Sequence, residues 1–582
     1  MKSYQLSLKN QKEKKTANKE RSAAIQAMLA RALLHHRAGG MDEAEQLYRR
    51  ILAIDAGHAD SLHLLGMIAY QARRSEDAVA LIRKAIAICG TAATYHSNLG
   101  TILQSQGKLD EAAACYEHAL ALQPDLAEAH YNLGNIFHSQ RKFDDAEASY
   151  QRALELQPNL AEAHYNLGNT LQAQERLGEA IASYKRALAL EPQKFEALHN
   201  LGNALQAQDK LEEAMACYEQ VLALQPGYAM AHYSIGAALH AMGKVDEALT
   251  RYRRAQALQP DFPEPAFSES LAQLLQGNFG AGWRRYEWRW QTREHKSPKR
   301  SYVQPFWAGE KLSSGGVLIW GEQGIGDEIM FAGLIPDALH TGNRCVLDCD
   351  ARLKPLFARS FPGLEVVSSG ATDDFCDDDP RRTAKLDIAA QLPIGSLPGL
   401  FRGTNAAFAA VTSPYLIPDP SHRDRFRSCY ADGRRLIGLA WYTNNRKTGR
   451  IRSIDLKAFA PLFARPDIRW ISLQYGDHDE LRKQAELADA PLFVDSSVNQ
   501  FLDIDLFAAQ IAAMDSVITI DNSTAHLAGA LGVPTSVLLP FASDWRWLQL
   551  REDSPWYRSL RLFRQPSRGD WQSVVEKIQT TL

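Results

Sequence analysis

Small residues return in this chain at a fixed step of 34. Six glycines, Gly66, Gly100, Gly134, Gly168, Gly202 and Gly236, each follow a leucine or isoleucine, and twelve residues beyond each stands an alanine: Ala78, Ala112, Ala146, Ala180, Ala214 and Ala248. Five tyrosines (Tyr116, Tyr150, Tyr184, Tyr218, Tyr252) and five prolines (Pro124, Pro158, Pro192, Pro226, Pro260) keep the same beat. A period of this length is one supersecondary unit, repeated. The two small residues mark where a pair of helices crosses, since a larger side chain there would force them apart. The large apolar residues between them stack on the next unit, so a single core runs along the array.

An imperfect unit at 25–58 keeps Ala44 and Tyr48 but has Ala32 in place of the glycine. Regular units succeed it at 59–92, 93–126, 127–160, 161–194, 195–228 and 229–262. A degenerate eighth at 263–296 keeps Tyr286, while Trp283, Trp288 and Trp290 crowd its second helix. The pattern resembles the tetratricopeptide repeat, and it predicts a solenoid over residues 23–296. Terminal repeats are atypical because one face must end the stack; the tryptophans predict that this end docks onto the next domain of the chain. Asn98, Asn132, Asn166 and Asn200 recur two residues before the glycine, with Ser234 next in line. Asparagine is a poor mid-helix residue. Four in register are expected to form a ladder whose amides bond an extended polypeptide. Recent duplication, visible in the near-identity of 127–160 and 161–194, accounts for the same pattern without any ligand.

At 582 residues, with 45% hydrophobic and 23% charged residues and a net charge of −3, the chain has room for several domains and is no globally basic nucleic-acid binder. Seven scattered cysteines without a CxxC pair favour reduced thiols in a cytoplasm over disulfides or structural zinc. The basic arm 1–22 lacks apolar periodicity and is expected to be disordered; no apolar run comes after it that could serve as a signal peptide, and none elsewhere is long enough to span a membrane.

The rhythm changes between Lys296 and Ser314. Val317–Trp320, Cys345–Cys349, Leu436–Trp441, Trp470–Leu473, Val517–Ile520 and Ser536–Leu539 read as buried strands alternating with helix-length segments, which predicts parallel sheets with crossover helices. Asp373–Pro380 reads as a surface insertion, and a second break near Pro414–Asp432 divides this half into lobes at 297–413 and 414–582.

Three stretches are candidates for chemistry. Gly321-Glu322-Gln323-Gly324-Ile325-Gly326-Asp327 is a glycine-rich turn between a strand and a helix, which lets backbone approach a ligand at the carboxyl edge of a sheet. It is neither GxGxxG nor a Walker loop. Asp327 faces any cleft between the lobes, and a helix-capping aspartate fits the same spacing. Asp521-Asn522-Ser523-Thr524-Ala525-His526 opens a helix whose free N–H groups suit a phosphate; a lone histidine there is also an ordinary structural residue. The loop Tyr442–Ser453 carries Arg446, Lys447, Arg450 and Arg452, enough positive charge to neutralise a pyrophosphate without metal, or to be a solvated loop. Scattered DxD pairs share no context, and no HExxH or GxSxG is present.

These residues carry a resemblance. Val317–Asp327 and Asp521–Gly532 resemble the lipopolysaccharide heptosyltransferase-like group of GT-B glycosyltransferases, with Asn522 and Ser523 in place of that group's Thr-Gly. Repeats succeeded by two lobes, including the tail Leu539–Trp547, resemble bacterial tetratricopeptide-glycosyltransferase fusions and the protein O-linked N-acetylglucosamine transferases. The resemblance implies an α-solenoid followed by an α/β GT-B-like pair of Rossmann-type lobes. It implies Asp327 as general base and a donor site formed by Gly324, Gly326, Lys447, Arg452, Asp521, Ser523, Thr524 and His526. The expected activity is a cytoplasmic, metal-independent, inverting transfer of a sugar from a nucleotide diphosphate sugar to a hydroxyl, on a polypeptide held by Asn98, Asn132, Asn166 and Asn200. No other cofactor is expected. A non-catalytic scaffold that senses a nucleotide sugar, and a transferase acting on a glycan or lipid-linked saccharide, are the alternatives.

Overall fold

The computed structural model describes residues 2–293, 295, 297, 300, 302–368, 385–410, 414–445 and 448–582, with no side-chain description at 2–14, 17 and 410. The expected insertion at 373–380 lies outside the described residues. The chain forms two compact units, Met1–Pro226 and Gly227–Leu582.

The first unit is a run of antiparallel helix pairs. It opens on a helix over Lys2–Arg37 paired with Met41–Ile54. The arm expected to be disordered thus belongs to a helix; its lysines, glutamines, glutamates and alanines are good helix formers, and they need no apolar periodicity to extend one. Five regular pairs come next, from Ala59–Gln71 with Ser75–Ile88 to Phe195–Ala207 with Leu211–Leu224. The crossing points fall where the 34-residue step places them. A Cβ at Gly134, Gly168 or Gly202 would come within 2.7, 2.6 and 2.5 Å of the rings of Tyr150, Tyr184 and Tyr218. Those rings and the repeat alanines are buried. Each closing proline sits behind an extended residue, Gln123, Gln157 and Gln225 having φ between −141° and −136°, because proline bars its predecessor from the helical region. Inside each pair the turn holds one left-handed residue: Arg73, Gly107, Arg141, Glu175 and Asp209, again 34 apart. Four residue types share that position, which hides it from a search for conserved identity along the repeats.

The second unit begins with two further pairs, Ala229–Ala241 with Val245–Leu258 and Pro263–Leu275 with Phe279–Tyr286. Two parallel sheets complete it. The first has the order β3-β2-β1-β4, from β1 (Gly316–Trp320), β2 (Arg344–Cys349), β3 (Glu365–Ser368) and β4 (Ile388–Pro393). The second has the order β10-β9-β8-β5-β6-β7, from β5 (Arg435–Ala440), β6 (Ile468–Ser472), β7 (Leu492–Phe493), β8 (Ser516–Ile520), β9 (Thr535–Leu539) and β10 (Leu560–Arg564). Every pairing in both sheets is parallel. All six expected strands are present. In the second sheet the winding runs outward from β5 in one direction and from β8 in the other. Their carboxyl ends therefore border a crevice where ligands bind in sheets of this kind. Ile437, Leu439, Trp470, Ile518, Leu538 and Phe563 fill its core.

The tryptophan-rich eighth pair docks as expected. Trp283 packs edge-on against Trp545 and Trp556, at centroid distances of 5.4 and 6.4 Å, and its indole N–H donates to the Arg402 carbonyl at 3.0 Å. Trp290 lies against Trp320 of β1. The junction near 296 is thus a change of architecture inside one packed unit.

Gly168→Ala tests the crossing rule. In an open helix the change would add about 1 kcal/mol of stability; against the Tyr184 ring it should instead remove about 1–3 kcal/mol through overpacking. The sign of the shift in thermal midpoint decides between the two.

Candidate functional site

β1 ends at Trp320, and the turn after it is pinned on both sides. Glu322 is buried and receives two hydrogen bonds from the buried Arg289, Nε to Oε2 at 2.9 Å and Nη2 to Oε1 at 2.7 Å. Gln323 takes a left-handed φ of 68° and meets the Tyr286 hydroxyl at 2.9 Å through its amide nitrogen. Gly324 is the extended N-cap of the helix Ile325–Ala332, and it makes no side-chain cap. Asp327 is therefore inside the first turn, not a cap; its carboxylate accepts from Arg546, with Nε at 3.0 Å and Nη2 closer. Gly326 permits a close approach of the two lobes. A Cβ there would stand 3.2 Å from the His526 ring and 3.6 Å from the Ser523 Cα.

The helix Ser523–Ala530 opens on that contact. Its N-cap is Asn522, whose Oδ1 accepts from the Ala525 N–H at 3.3 Å and from the Thr519 hydroxyl at 3.0 Å. Asparagine is a strong N-cap, so the departure from the donor motif keeps the helix start intact. Thr524 is fully buried, with its hydroxyl unpartnered. His526 stacks on Trp547 at 5.1 Å and shares a hydrogen bond of 3.0 Å with the Tyr557 hydroxyl. Burial, with Arg546 nearby, pushes its pKa down to about 3, so the ring is neutral.

Of the basic loop, Arg446 and Lys447 lie outside the described residues. Arg452 turns inward and pairs with Asp521 at 3.2 Å and with Asp544 at 3.5 Å. Asp544 in turn accepts from Arg546 at 2.7 Å. The result is a chain of alternating charge, Asp327–Arg546–Asp544–Arg452–Asp521. Burial alone would raise Asp544, but the two guanidiniums hold it down to about 2. Burial raises Asp521 against the pull of Arg452.

A cleft of about 740 Å³ lies between the lobes, beside the carboxyl ends of β5 and β8. It brings together Gly326, Arg452, Asp521 and Ser523 of the expected residues. Gly324, Asp327, Thr524 and His526 do not line it; Thr524 and His526 are buried, Asp327 is half-buried and Gly324 is exposed. The cleft also has walls that sequence reasoning missed: Arg352 after β2, Tyr475 after β6, and Asn499, Phe501 and Leu502 after β7. All come after strand carboxyl ends. Applying that rule to each expected strand would have found Arg352 and Tyr475, whereas β7 was not read as a strand.

In the first unit the asparagines bond one another's repeats. Nδ2 of Asn166 donates to the Tyr131 hydroxyl at 3.2 Å and to Oδ1 of Asn135 at 2.9 Å. Asn200 repeats this with Tyr165 and Asn169, and Asn98 meets His63 at 2.8 Å. Asn132 is half-buried at the same register position. Asn135, Asn169 and Asn203 form a second periodic set, each accepting from a repeat tyrosine hydroxyl at 2.8 to 2.9 Å.

Comparison with known proteins reaches the solenoid directly. Tetratricopeptide repeat models match residues 29–93, 90–159, 125–193 and 183–216, and a TPR repeat model matches 202–243. The N-terminal solenoid is an array of tetratricopeptide repeats. Protein FlbA of Caulobacter vibrioides is 30% identical over 331 residues, covering 54% of this chain and 54% of its own length. The chain thus spans about half of FlbA. YrrB, described as a TPR protein with an unusual peptide-binding site, is 27% identical over 33% of this chain and 98% of its own, with a TM-score of 0.31. MamA is 27% identical over 28% of this chain and 95% of its own, with a TM-score of 0.27. Among the described residues no helix is long and apolar enough to cross a membrane, and no group of His, Cys, Asp and Glu could hold a metal ion.

Beside the turn, Glu328 is buried, and burial pushes its carboxyl up to about 8 from an ordinary 4.5. The native chain keeps this proton where the unfolded chain releases it. The associated stability is complete below pH 4.5 and is lost as pH rises through about 8. Glu328→Gln should therefore flatten the decline of the thermal midpoint across that window; an unchanged slope would show that Glu328 does not titrate there.

Proposed function

We propose that the second unit is an inverting glycosyltransferase of GT-B type, with 297–413 as acceptor lobe and 414–582 as donor lobe. Its donor is a nucleotide diphosphate sugar, bound in the 740 Å³ cleft. One observation carries the reading. The cleft is walled by Arg452 and by the half-buried start of the Ser523 helix, at the switch point of a doubly wound sheet. That combination suits a diphosphate, because a guanidinium and the free N–H groups of a helix start both favour negative charge. As the bond to the leaving diphosphate lengthens, the same groups stabilise the charge growing on it, with no metal required. The acceptor hydroxyl attacks the anomeric carbon from the opposite face and gives its proton to Asp327, so configuration inverts. Asp521 lines the donor wall, and the buried Thr524 and His526 support the helix whose start forms part of it.

The repeats hold a polypeptide acceptor in the cytoplasm. The donor nitrogens of Asn98, Asn166 and Asn200 are engaged within the array, so contact with a peptide backbone by these residues falls to their carbonyl oxygens. A scaffold that binds a nucleotide sugar without turnover draws support from the ion pair that occupies Asp327.

Calorimetric titration of the full chain with UDP, GDP, ADP and dTDP, with magnesium omitted, tests the donor site. Micromolar binding of one is expected, weakened about tenfold or more by Arg452→Ala through loss of a charge-assisted contact worth about 1.5–3 kcal/mol. Asp327→Asn should bind the same nucleotide as the native chain yet abolish transfer. Binding to none of the four would overturn the donor reading.

A further inference from the structure

The loop from Asp544 to Leu550 is held in a strained form. Leu548 and Leu550 both adopt left-handed φ values, 52° and 56°, without being glycine. Such residues persist only where their surroundings over-determine them. Here the surroundings are plain. Arg564 donates to the carbonyls of Trp547 and Leu548 at 2.6 and 2.7 Å. The Gln549 N–H donates to the Leu275 carbonyl in the eighth helix pair at 2.9 Å. Trp545 lies edge-on to Trp283 and Tyr286 of the same pair, at 5.4 and 5.8 Å.

The side chain that the loop presents from this frame is Arg546. Its guanidinium lies over the Trp545 ring at 4.5 Å and reaches Asp327 on one side and Asp544 on the other. The eighth pair and the 3-10 turn Glu287–Gln291 that closes it also fix the turn before Asp327, through Tyr286 on Gln323 and Arg289 on Glu322. Both partners of the Asp327–Arg546 pair are thus aimed by one element, the end of the repeat array. Arg546 lies outside the cleft wall, so its contact with a bound nucleotide is not what explains this framing.

The geometry points to Arg546 as a positioning residue, which holds the Asp327 carboxylate in place, and to the eighth helix pair as the part of the array that sets it. This rests on the transferase reading for the meaning of Asp327, though the pair itself is independent of that reading.

Carboxyl labelling of the full chain at neutral pH with a carbodiimide and an amine, followed by peptide mass spectrometry, tests it. Loss of a charge-assisted bidentate contact in Arg546→Gln should let Asp327 label about fivefold faster or more, and Arg546→Lys should restore most of the protection. Asp505, paired with Arg359 across the lobes, should label at the native rate in both variants and so reports any general loosening. With a donor identified, Arg546→Gln should lower kcat about tenfold or more while leaving the KM for donor unchanged. Unchanged labelling of Asp327, or a rise matched by Asp505, would overturn the assignment, as would an undiminished kcat. If no nucleotide binds the native chain but Asp327 alone is released in Arg546→Gln, the transferase reading fails and the positioning assignment stands.

Discussion

Arg289 has no solvent exposure, and a guanidinium taken wholly out of water would cost several kcal/mol were it left unpaired. It is matched by Glu322, buried to the same degree, in a two-bond fork, with further bonds to Ser396 and Glu287. Removing either partner would strand a charge in the interior, at a cost of about 3–5 kcal/mol. That pair ties the last repeat to the turn that launches Asp327, and much of the second unit depends on it. Once the repeat is fixed there, Trp283 must fill the space beside Trp545 and Trp556, and the loop carrying Arg546 must bend around it. The same rule governs the row from Asp327 to Asp521, where charges that are partly or, at Asp521, almost wholly buried are each flanked by their opposite.

The solenoid rests on a different constraint, one of volume. Each glycine leaves less than the width of a methyl group beside a buried side chain, Ile82 at Gly66 and a tyrosine ring at the other five, as the 2.5 Å gap at Gly202 shows. This steric demand writes itself into the sequence, because one residue type satisfies it. The helix pairs were legible for that reason, almost to the residue. The left-handed turn position escaped notice because arginine, glutamate, aspartate and glycine all fill it, the backbone tolerating a modest cost there. The asparagines were visible but their use was not. Nothing in a single repeat reveals that Nδ2 of Asn166 reaches back 31 residues to Asn135.

In the sheets, legibility tracked burial on both faces. The six strands read from the sequence are nearly unbroken apolar runs, as parallel strands covered on both sides must be. β4 carries Gln391, whose amide oxygen accepts from the Trp320 indole, and β10 alternates Leu-Arg-Leu-Phe-Arg at a sheet edge. β3 and β7 are short edge strands, partly exposed. Each of these four breaks the apolar run for a local reason that needs the neighbouring strand to be seen. The candidate site divides the same way. Residues on a recognisable strand-to-helix turn, Gly326, Asp521 and Ser523, were found, while Phe501 and Leu502 belong to a loop with no periodic signature.

Arg546 shows why a site of this type is only half written in local sequence. Its neighbours Trp545 and Trp547 are readable as core, and both are buried. The arginine between them looks like a solvent-facing residue until Asp327, 219 positions earlier, is brought to it. Three separate pieces must meet for that contact: the turn after β1, the strained loop after β9, and the end of the repeat array. A break in any of them separates the pair. The repeats therefore do more than extend a surface beside the lobes. Their last member is part of the wall against which the candidate base is set, so the geometry at Asp327 depends on a helix pair that the 34-residue pattern alone would count as a worn terminal copy.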